Sequence, residues 1–586
     1  MRIFFNELKR RNVIKETLAY LVISWVLLQV ASIILPIINA PDWVLKTVTF
    51  FLAIGLPVWI FFSWAYQVTP EGIKRTAKFS EDQTITTATN KRLNIIILIT
   101  LLIAIGVSFV NKTKPKVSAE TMVSNELTLD NSIAVLPFAD YSPGKDQAWF
   151  TDGMTDALIT ELSKISSLNV RSRTSVMQYK GTNKTISEIA RELNVGTIIE
   201  GSAVKVNDSV RITAQLISAA DKHLWANNYD AGMKDVLRLH HNIAKAITKE
   251  INVVLTPADL ARFTVPSRVN PAAFEADLKG MHIFKFYYTF EEIKKAGDYF
   301  KMAISLDSTY APAYAHHAGV YLNYPYFGEK NPLESWQLAE DLNKTALRLD
   351  PDLELTYLNQ FFYLYYIKWD WDGALRALAK AEELAPNNLE VLQNLSSYYV
   401  ASGKFGKAFE TCEKMHQIDP TDQVYWWRKA FIQFHSRDLE GSLKTIDEGL
   451  ELFPDFYGLL SIQSWCLSAL GRHKEAVNSY KEFLSLIDGS SVYYQALSGW
   501  IFGRAGLKEE ALKELKIFEG SGNYSDPVII GMIYMAIGDI DRAMEYYQKG
   551  YREHSLQLPY LKRSPAWDPM RGDPRFEKLI QDLKFP

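Results

Sequence analysis

The chain has 586 residues, of which 48% are hydrophobic and 22% are charged, so it has room for several folded domains and is not a long disordered protein. Its formal net charge of −3 excludes a global basic field that would hold nucleic acid. Cys412 and Cys466 are the only cysteines, and neither belongs to a Cys-x-x-Cys pair. Both are predicted to be small buried side chains, and whether they form a disulfide stays open.

Three apolar runs begin the chain, at residues 17–38, 43–66 and 93–110. The first and third carry no charge, and the second contains only Lys46 near its start and a helix-bending Pro57. These runs predict three transmembrane helices in a membrane anchor over residues 1–116. A cleaved signal peptide is the alternative for the first run, but no small-residue cleavage site follows it.

Lysine and arginine residues flank these runs unequally. Basic residues are concentrated before the first run and between the second and third, whereas the first loop has none. Since such residues stay on the cytoplasmic side, the amino terminus is predicted to be cytoplasmic and everything after Lys116 external. The predicted location is a bacterial inner membrane with the folded domains in the periplasm.

A small α+β domain is predicted over residues 131–256, after a polar linker at 117–130. Thr185 and Glu188 have the spacing of a capping box, which begins a helix. Two alternating segments, 197–206 and 209–218, flank an Asn-Asp turn and predict a hairpin with one buried face. The other predicted elements are strands at 132–138 and 168–171 and helices at 150–165 and 236–255.

This domain resembles the TolB amino-terminal and FlgO-like periplasmic family. The motifs are Ser-Ile-Ala-Val-Leu-Pro-Phe from Ser132, Thr-Asp-Gly-Met-Thr from Thr151, Glu-Gly-Ser from Glu200 and Arg-Ile-Thr-Ala-Gln-Leu-Ile from Arg211. The resemblance implies an accessory or sensory module without a catalytic motif. Helix caps and strand-end ion pairs are the alternative role for five polar residues that we predict as a binding cluster. They are Asp152, Asp156, Arg171, Arg173 and Glu200.

A repeat of 34 residues is the clearest internal signal. Ala374, Ala408, Ser442 and Ala476 recur at this step, which is the tetratricopeptide period. Small residues at such positions allow two antiparallel helices to approach closely. The pattern predicts a linker at 257–270, an α-solenoid of about seven helix pairs at 271–552, and a carboxy-terminal cap at 553–586.

In tetratricopeptide repeats, the residue after the small contact on the first helix faces the inner groove. Four of the five such positions read here are aromatic, the exception being Ser397, and further aromatic residues lie close by on the same helices. Such rows commonly mark binding sites, because they bury much area for few rotatable bonds. The alternative is ordinary packing, either because the register is wrong by one residue or because the chain itself fills the groove. The predicted partner-binding residues are Tyr363, Tyr366, Trp427, Phe431, Phe434, Trp465 and Trp500.

No catalytic or phosphate-binding motif accompanies these modules. The adjacent pairs His240-His241 and His316-His317 lack the i, i+4 spacing with which two imidazoles on a helix share a metal. The sequence therefore predicts a multi-domain protein that is not an enzyme and has no cofactor or metal. Its predicted function is a periplasmic scaffold, anchored in the lipid bilayer, that binds other envelope proteins or peptides. A sensory module that signals across the membrane is the alternative.

Overall fold

The computed structural model describes residues 43–69, 72–75 and 131–586, with gaps at 143, 263–268, 286–288, 488–491 and 521–523 and a few isolated positions before residue 43. The chain divides into two compact units, Met1–Ser124 and Asn125–Pro586.

In the first unit, helix α1 (Trp43–Ala65) contains Pro57 and leads into a short antiparallel hairpin. Its strands are β1 (Tyr66–Thr69) and β2 (Gly72–Arg75). No helix among the described residues is both long enough and apolar enough to cross a membrane.

The predicted fold class with three transmembrane helices is therefore wrong. The second apolar run coincides with α1, which also contains Lys46 and Pro57. The first and third runs, 17–38 and 93–110, lie outside the described residues apart from four isolated positions. An apolar run in the sequence does not by itself establish a transmembrane helix, because crossing a bilayer requires one continuous helix that is apolar along its length.

The second unit begins with a five-stranded sheet in the order β4-β3-β5-β6-β7. Strands β4, β3 and β5 are parallel, and β5, β6 and β7 form an antiparallel meander. The elements are β3 (Ser132–Val135), α2 (Ala148–Ser163), β4 (Asn169–Val170), α3 (Arg173–Met177), α4 (Ile186–Leu193), β5 (Thr197–Val206), β6 (Ser209–Ser218), β7 (His223–Gly232) and α5 (Val236–Glu250).

The predicted hairpin is confirmed at both strands, with Val206 opposite Ser209. The capping box of Thr185 and Glu188 is also formed, each side chain accepting a hydrogen bond from the other residue's backbone N–H. Strand β7 was not predicted, since its polar residues do not alternate with apolar ones. It forms through backbone hydrogen bonds to β6. A pattern of side-chain types does not reveal such pairing.

Eight antiparallel helix pairs follow in the described residues, one more than predicted, after a short helix α6 (Pro257–Arg262). The eight pairs are α7 (Pro271–Phe284) with α8 (Phe290–Leu306), α9 (Ala311–Leu322) with α10 (Pro332–Leu349), α11 (Glu354–Phe362) with α12 (Trp371–Leu384), α13 (Leu389–Ala401) with α14 (Phe405–Ile418), α15 (Gln423–His435) with α16 (Leu439–Leu452), α17 (Tyr457–Ala469) with α18 (His473–Leu486), α19 (Val492–Arg504) with α20 (Lys508–Gly520), and α21 (Pro527–Ala536) with α22 (Ile540–Glu553).

The repeating small residues lie where the pairs close. Ala374, Ala408, Ser442 and Ala476 are all buried, so each second helix packs with almost no side chain between the backbones. Arg437 stands where other pairs have a turn glycine, and it adopts the same left-handed backbone, with φ of 71°. The turn of this pair therefore keeps the backbone conformation of the other pairs, although a non-glycine residue is strained there.

Cys412 and Cys466 lie buried on different helix pairs and form no disulfide. Burial raises the pKa of each thiol to about 12. Both are packing residues, as predicted.

The carboxy-terminal segment, residues 554–586, packs along the first helices of several pairs and not only on the last pair. Its turn Leu558–Tyr560 contacts α13, and its turn Pro565–Met570 contacts α17 and α21. It ends in helix α23 (Pro574–Asp582), which packs on α22. Its apolar side chains belong to the same core as the repeats.

The small domain and the repeats share buried polar contacts. The guanidinium of Arg171 donates to the carbonyl oxygens of Leu193 and Asn194 in the small domain and of Ile418 at the end of α14. From the repeats, the Asn387 amide donates to three carbonyls of the turn after α2. Asp419 accepts from the backbone N–H of the residue after Arg171. This junction fixes the small domain against the solenoid.

Candidate binding groove

The groove is the surface formed by the first helices α13, α15, α17 and α19. Where the carboxy-terminal segment crosses it, a cavity of about 390 Å³ remains. The repeats supply one side of this cavity and the segment supplies the other. Its aromatic lining residues are Tyr326, Tyr366, Trp427, Phe431, Phe456, Tyr457, Tyr480, Phe483, Trp500, Trp465, Tyr560 and Trp567.

Five of the seven predicted partner-binding residues line this cavity. Phe434 does not, because it is fully buried behind the groove surface. Tyr363 stacks on Trp336 with ring centroids 4.4 Å apart, away from the cavity. The five that line it are Tyr366, Trp427, Phe431, Trp465 and Trp500.

The predicted groove residues do not form a continuous strip of partly exposed rings. Phe431 is 6% exposed and Trp500 is 2% exposed, whereas Trp427 and Trp465 are half-buried. Tyr560 of the carboxy-terminal segment packs edge-on against Phe431, with centroids 5.5 Å apart. The chain therefore fills part of its own groove, which was the alternative that the sequence left open.

The rings around the cavity hold one another in place. Trp427 stacks on Phe431 at 5.0 Å, one turn further along α15. Trp465 on α17 meets Trp500 on α19 edge to face at 6.4 Å. These geometries are the favoured ones for aromatic pairs, so the walls are largely preformed.

Arg428 is the one charged side chain among the described residues that line this aromatic cavity. It is 6% exposed, and one of its terminal nitrogens donates to the Ser397 hydroxyl at 2.7 Å. Its guanidinium lies 4.8 Å from the centroid of the Trp427 ring, in cation–π contact. Burial lowers the pKa of Arg428 and lowers that of the neighbouring His435 to about 4, so the imidazole is neutral at pH 7.

Reasoning from sequence missed Arg428 and Tyr457. Arg428 directly follows the Trp426-Trp427 pair, and a charge inside so aromatic a helix was the signal that could have identified it. Tyr457 begins α17 and is 40% exposed at the edge of the cavity. No pattern of small residues marks that position.

The polar cluster predicted in the small domain is only partly brought together. Asp156 forms ion pairs with Arg173 and with Lys285, which directly follows α7, and Asp152 pairs with Lys180. Arg171 lies instead in the junction with α14. Glu200 is on β5 opposite Gln215.

A second cleft of about 220 Å³ is lined by Asp152, Asp156 and Arg173 together with residues of α7. Because these charges pair with one another, their arrangement holds the small domain on the first repeat pair. Their binding role stays a prediction. Within the described residues, no group of His, Cys, Asp or Glu is placed to hold a metal ion.

Comparisons with known proteins divide the chain in the same way as the fold. Residues 129–249 match a family model described as the second domain of HilA/YgeH-like transcriptional regulators, and residues 528–552 match a tetratricopeptide repeat model. The predicted resemblance to the TolB amino-terminal and FlgO-like family is not shown.

The chain is 36% identical over 162 residues to a putative adenylate cyclase 3 of Rhizobium meliloti, covering 28% of this chain and 27% of that protein. It is 32% identical over 90 residues to the tetratricopeptide-containing protein MJ0941 of Methanocaldococcus jannaschii, covering 15% of this chain and 26% of that one. A solved structure of PilW, a type IV pilus biogenesis factor, is 16% identical with a TM-score of 0.29 and covers 39% of this chain and 98% of that one.

The chain thus spans about a quarter of the length of these two curated relatives. The matched repeat model, the period of 34 residues and the antiparallel helix pairs agree on the module that carries the groove. The chain carries tetratricopeptide repeats.

Proposed function

We propose that this chain is a protein-interaction scaffold, and that a protein or peptide partner docks at the open edge of the groove. The observation that carries the proposal is a set of aromatic rings left accessible beside the carboxy-terminal segment: Trp427 and Trp465 are half-buried, and Tyr457 is 40% exposed. Rigid aromatic side chains at a cavity edge bury much partner area at little entropic cost. The partner should therefore present apolar side chains.

The docking site is shorter than the strip that the sequence suggested. The carboxy-terminal segment covers Phe431 and the ring of Trp500 is enclosed, whereas Trp427 on α15 and Tyr457 and Trp465 on α17 remain partly exposed. A short partner segment fits this opening better than a long amphipathic helix.

A regulatory module is the second candidate. It is favoured by the match of residues 129–249 to a domain of transcriptional regulators and by the polar junction at Arg171, which ties that domain to the repeats. In this role, partner binding at the groove would be passed to the small domain. The putative adenylate cyclase name belongs to a relative of which this chain covers 27%, and we propose no such activity here.

Photo-crosslinking in the producing organism tests the scaffold. A photoreactive residue at Tyr457 should yield a discrete protein adduct, whereas the same residue at Leu452, which is 61% exposed on α16, should not. No adduct at Tyr457, or identical adducts from both positions, would contradict the proposed docking site. The predicted periplasmic location rested on the membrane spans, and an alkaline phosphatase fusion after Pro586 tests it separately.

A further inference from the structure

We propose that the floor of the groove cavity binds a small organic acid, in which one carboxylate is joined to an aromatic or aliphatic body and Arg428 receives the carboxylate. This goes beyond the proposed scaffold function, since such a ligand needs no protein partner and lies deeper than the edge where the partner docks. Three observations carry the proposal: an uncompensated buried cation, nearby donors without acceptors, and the size and walls of the cavity.

Arg428 is a buried cation without an anion. Among the described residues its only hydrogen-bond acceptor is the Ser397 hydroxyl, and its Nε has none. Its guanidinium also lies against the faces of Trp427 and Phe431, 4.8 and 5.5 Å from the ring centroids. A buried charge without a partner is strongly unfavourable, so an anion reaching this guanidinium would gain a charge-assisted hydrogen bond and remove the penalty.

Among the described residues that line the cavity, no group can act as that anion. They include no Asp or Glu. The ionisable groups close enough to affect the charge of Arg428 are Tyr365, Tyr366, Tyr560 and Cys412. Burial raises the pKa of Tyr365 and of Cys412, so these two are neutral at pH 7. His435, also in the lining, is neutral there as well.

Two further donors in the lining lack acceptors. The buried indole Nε1–H groups of Trp465 and Trp500 have no hydrogen-bond partner within the described part of the chain. A buried donor left unpaired costs free energy, and an indole can only donate. A carboxylate oxygen that came within reach of either indole N–H would supply the missing acceptor, while Arg428 supplies the charge that favours an anion.

The cavity size favours a small molecule over a chain segment. At about 390 Å³ it lies within the range of small-ligand pockets, roughly 300–1,000 Å³. Tyr560 and Trp567 of the carboxy-terminal segment form one wall. The remaining walls are mostly aromatic, so the body attached to the carboxylate should be apolar.

Isothermal titration of the purified full-length chain tests the site. The probes are 3-phenylpropionate and its uncharged match, 3-phenylpropionamide, together with a panel of linear monocarboxylates of four to ten carbons. At least one acid should bind, and its amide should bind about tenfold or more weakly, since a charge-assisted hydrogen bond is lost. Arg428→Gln should weaken acid binding by a similar factor. Arg376→Gln, on the exposed side of α12, is the matched control and should leave it unchanged.

Because Arg428 is buried, its variant is first checked by circular dichroism and thermal melting. If Arg428→Gln fails to fold, Trp465→Phe replaces it: this change keeps a ring and removes one N–H donor, and it should weaken acid binding several-fold. Equal binding of acid and amide would overturn the proposal, as would binding that survives the informative variant. It would also be overturned if no acid in the panel binds and only peptides with a free carboxyl terminus do. None of these results bears on the crosslinking at Tyr457, so the two proposals fail independently.

Discussion

The indole Nε1 of Trp371 donates a hydrogen bond of 3.0 Å to the backbone carbonyl of Leu583, 212 positions later in the chain. The same indole stacks on Phe585 with ring centroids 5.0 Å apart. Trp371 begins the second helix of the third pair, so the last residues of the chain return to the middle of the solenoid. The carboxy-terminal segment therefore packs against the middle of the repeat array and does not only cover its last pair.

Truncating a ring in this segment should destabilise the repeats. Trp567 is 2% exposed in the core shared with the repeats, so Trp567→Ala should cost about 3–5 kcal/mol of unfolding free energy. Urea unfolding of the full chain measures the loss. Leu452→Ala, at an exposed position, is the control and should change stability by less than about 0.5 kcal/mol. Equal stability of the two variants would mean that the segment does not pack as described.

Trp500 should behave as a core residue. It is 2% exposed, so Trp500→Ala should also cost about 3–5 kcal/mol of unfolding free energy. The matched change Tyr457→Ala, at the 40% exposed edge of the cavity, should cost much less. Thermal melts of both variants distinguish an enclosed ring from an open binding face. An unchanged melting temperature for Trp500→Ala would mean that this ring is exposed on the groove surface, as the sequence suggested.

The repeat period, the helix pairs and the central hairpin of the small domain could be predicted because each leaves a local pattern. The enclosure of Phe431 could not, since it depends on Tyr560, which lies far along the chain in a segment without periodicity. Arg428 was missed for a related reason: helix periodicity places a residue on a face but does not show that a carboxylate is missing around it. The membrane spans were overpredicted from hydropathy alone.

Arg171 should couple the small domain to the repeats. Replacing it with Met removes donors to three backbone carbonyls and leaves them buried without partners, each worth about 1–3 kcal/mol. Arg171→Met should therefore separate one unfolding transition into two in calorimetry. Arg211→Met is the control, because its ion pair with Asp230 is exposed and contributes little. A single transition for Arg171→Met would show that the junction holds without it.

Acid should destabilise the small domain through His240. This imidazole is buried on α5 with no partner for either ring nitrogen, and burial lowers its pKa from 6.5 to about 4 despite nearby Glu161. Between these values the unfolded chain binds the proton and the native domain does not. Stability is therefore full above pH 6.5 and falls as the pH drops towards 4, by up to about 3 kcal/mol.

Denaturant titrations at pH 7, 6, 5 and 4 measure this dependence. His240→Leu should flatten the slope between pH 6.5 and 4, because the apolar side chain takes up no proton. His223→Leu, at an exposed position on β7, should keep the slope of the unmodified chain. A steep slope that persists in His240→Leu would assign the acid sensitivity to other groups.

Docking at the groove edge is tested most directly by the affinity of the partner captured at Tyr457, measured by isothermal titration against the unmodified chain and against Tyr457→Ala. If the partner docks at the groove edge, the dissociation constant should rise about 30-fold, equivalent to about 2 kcal/mol, while the melting temperature stays nearly constant. An unchanged affinity, with the variant folded, would contradict docking at the groove edge.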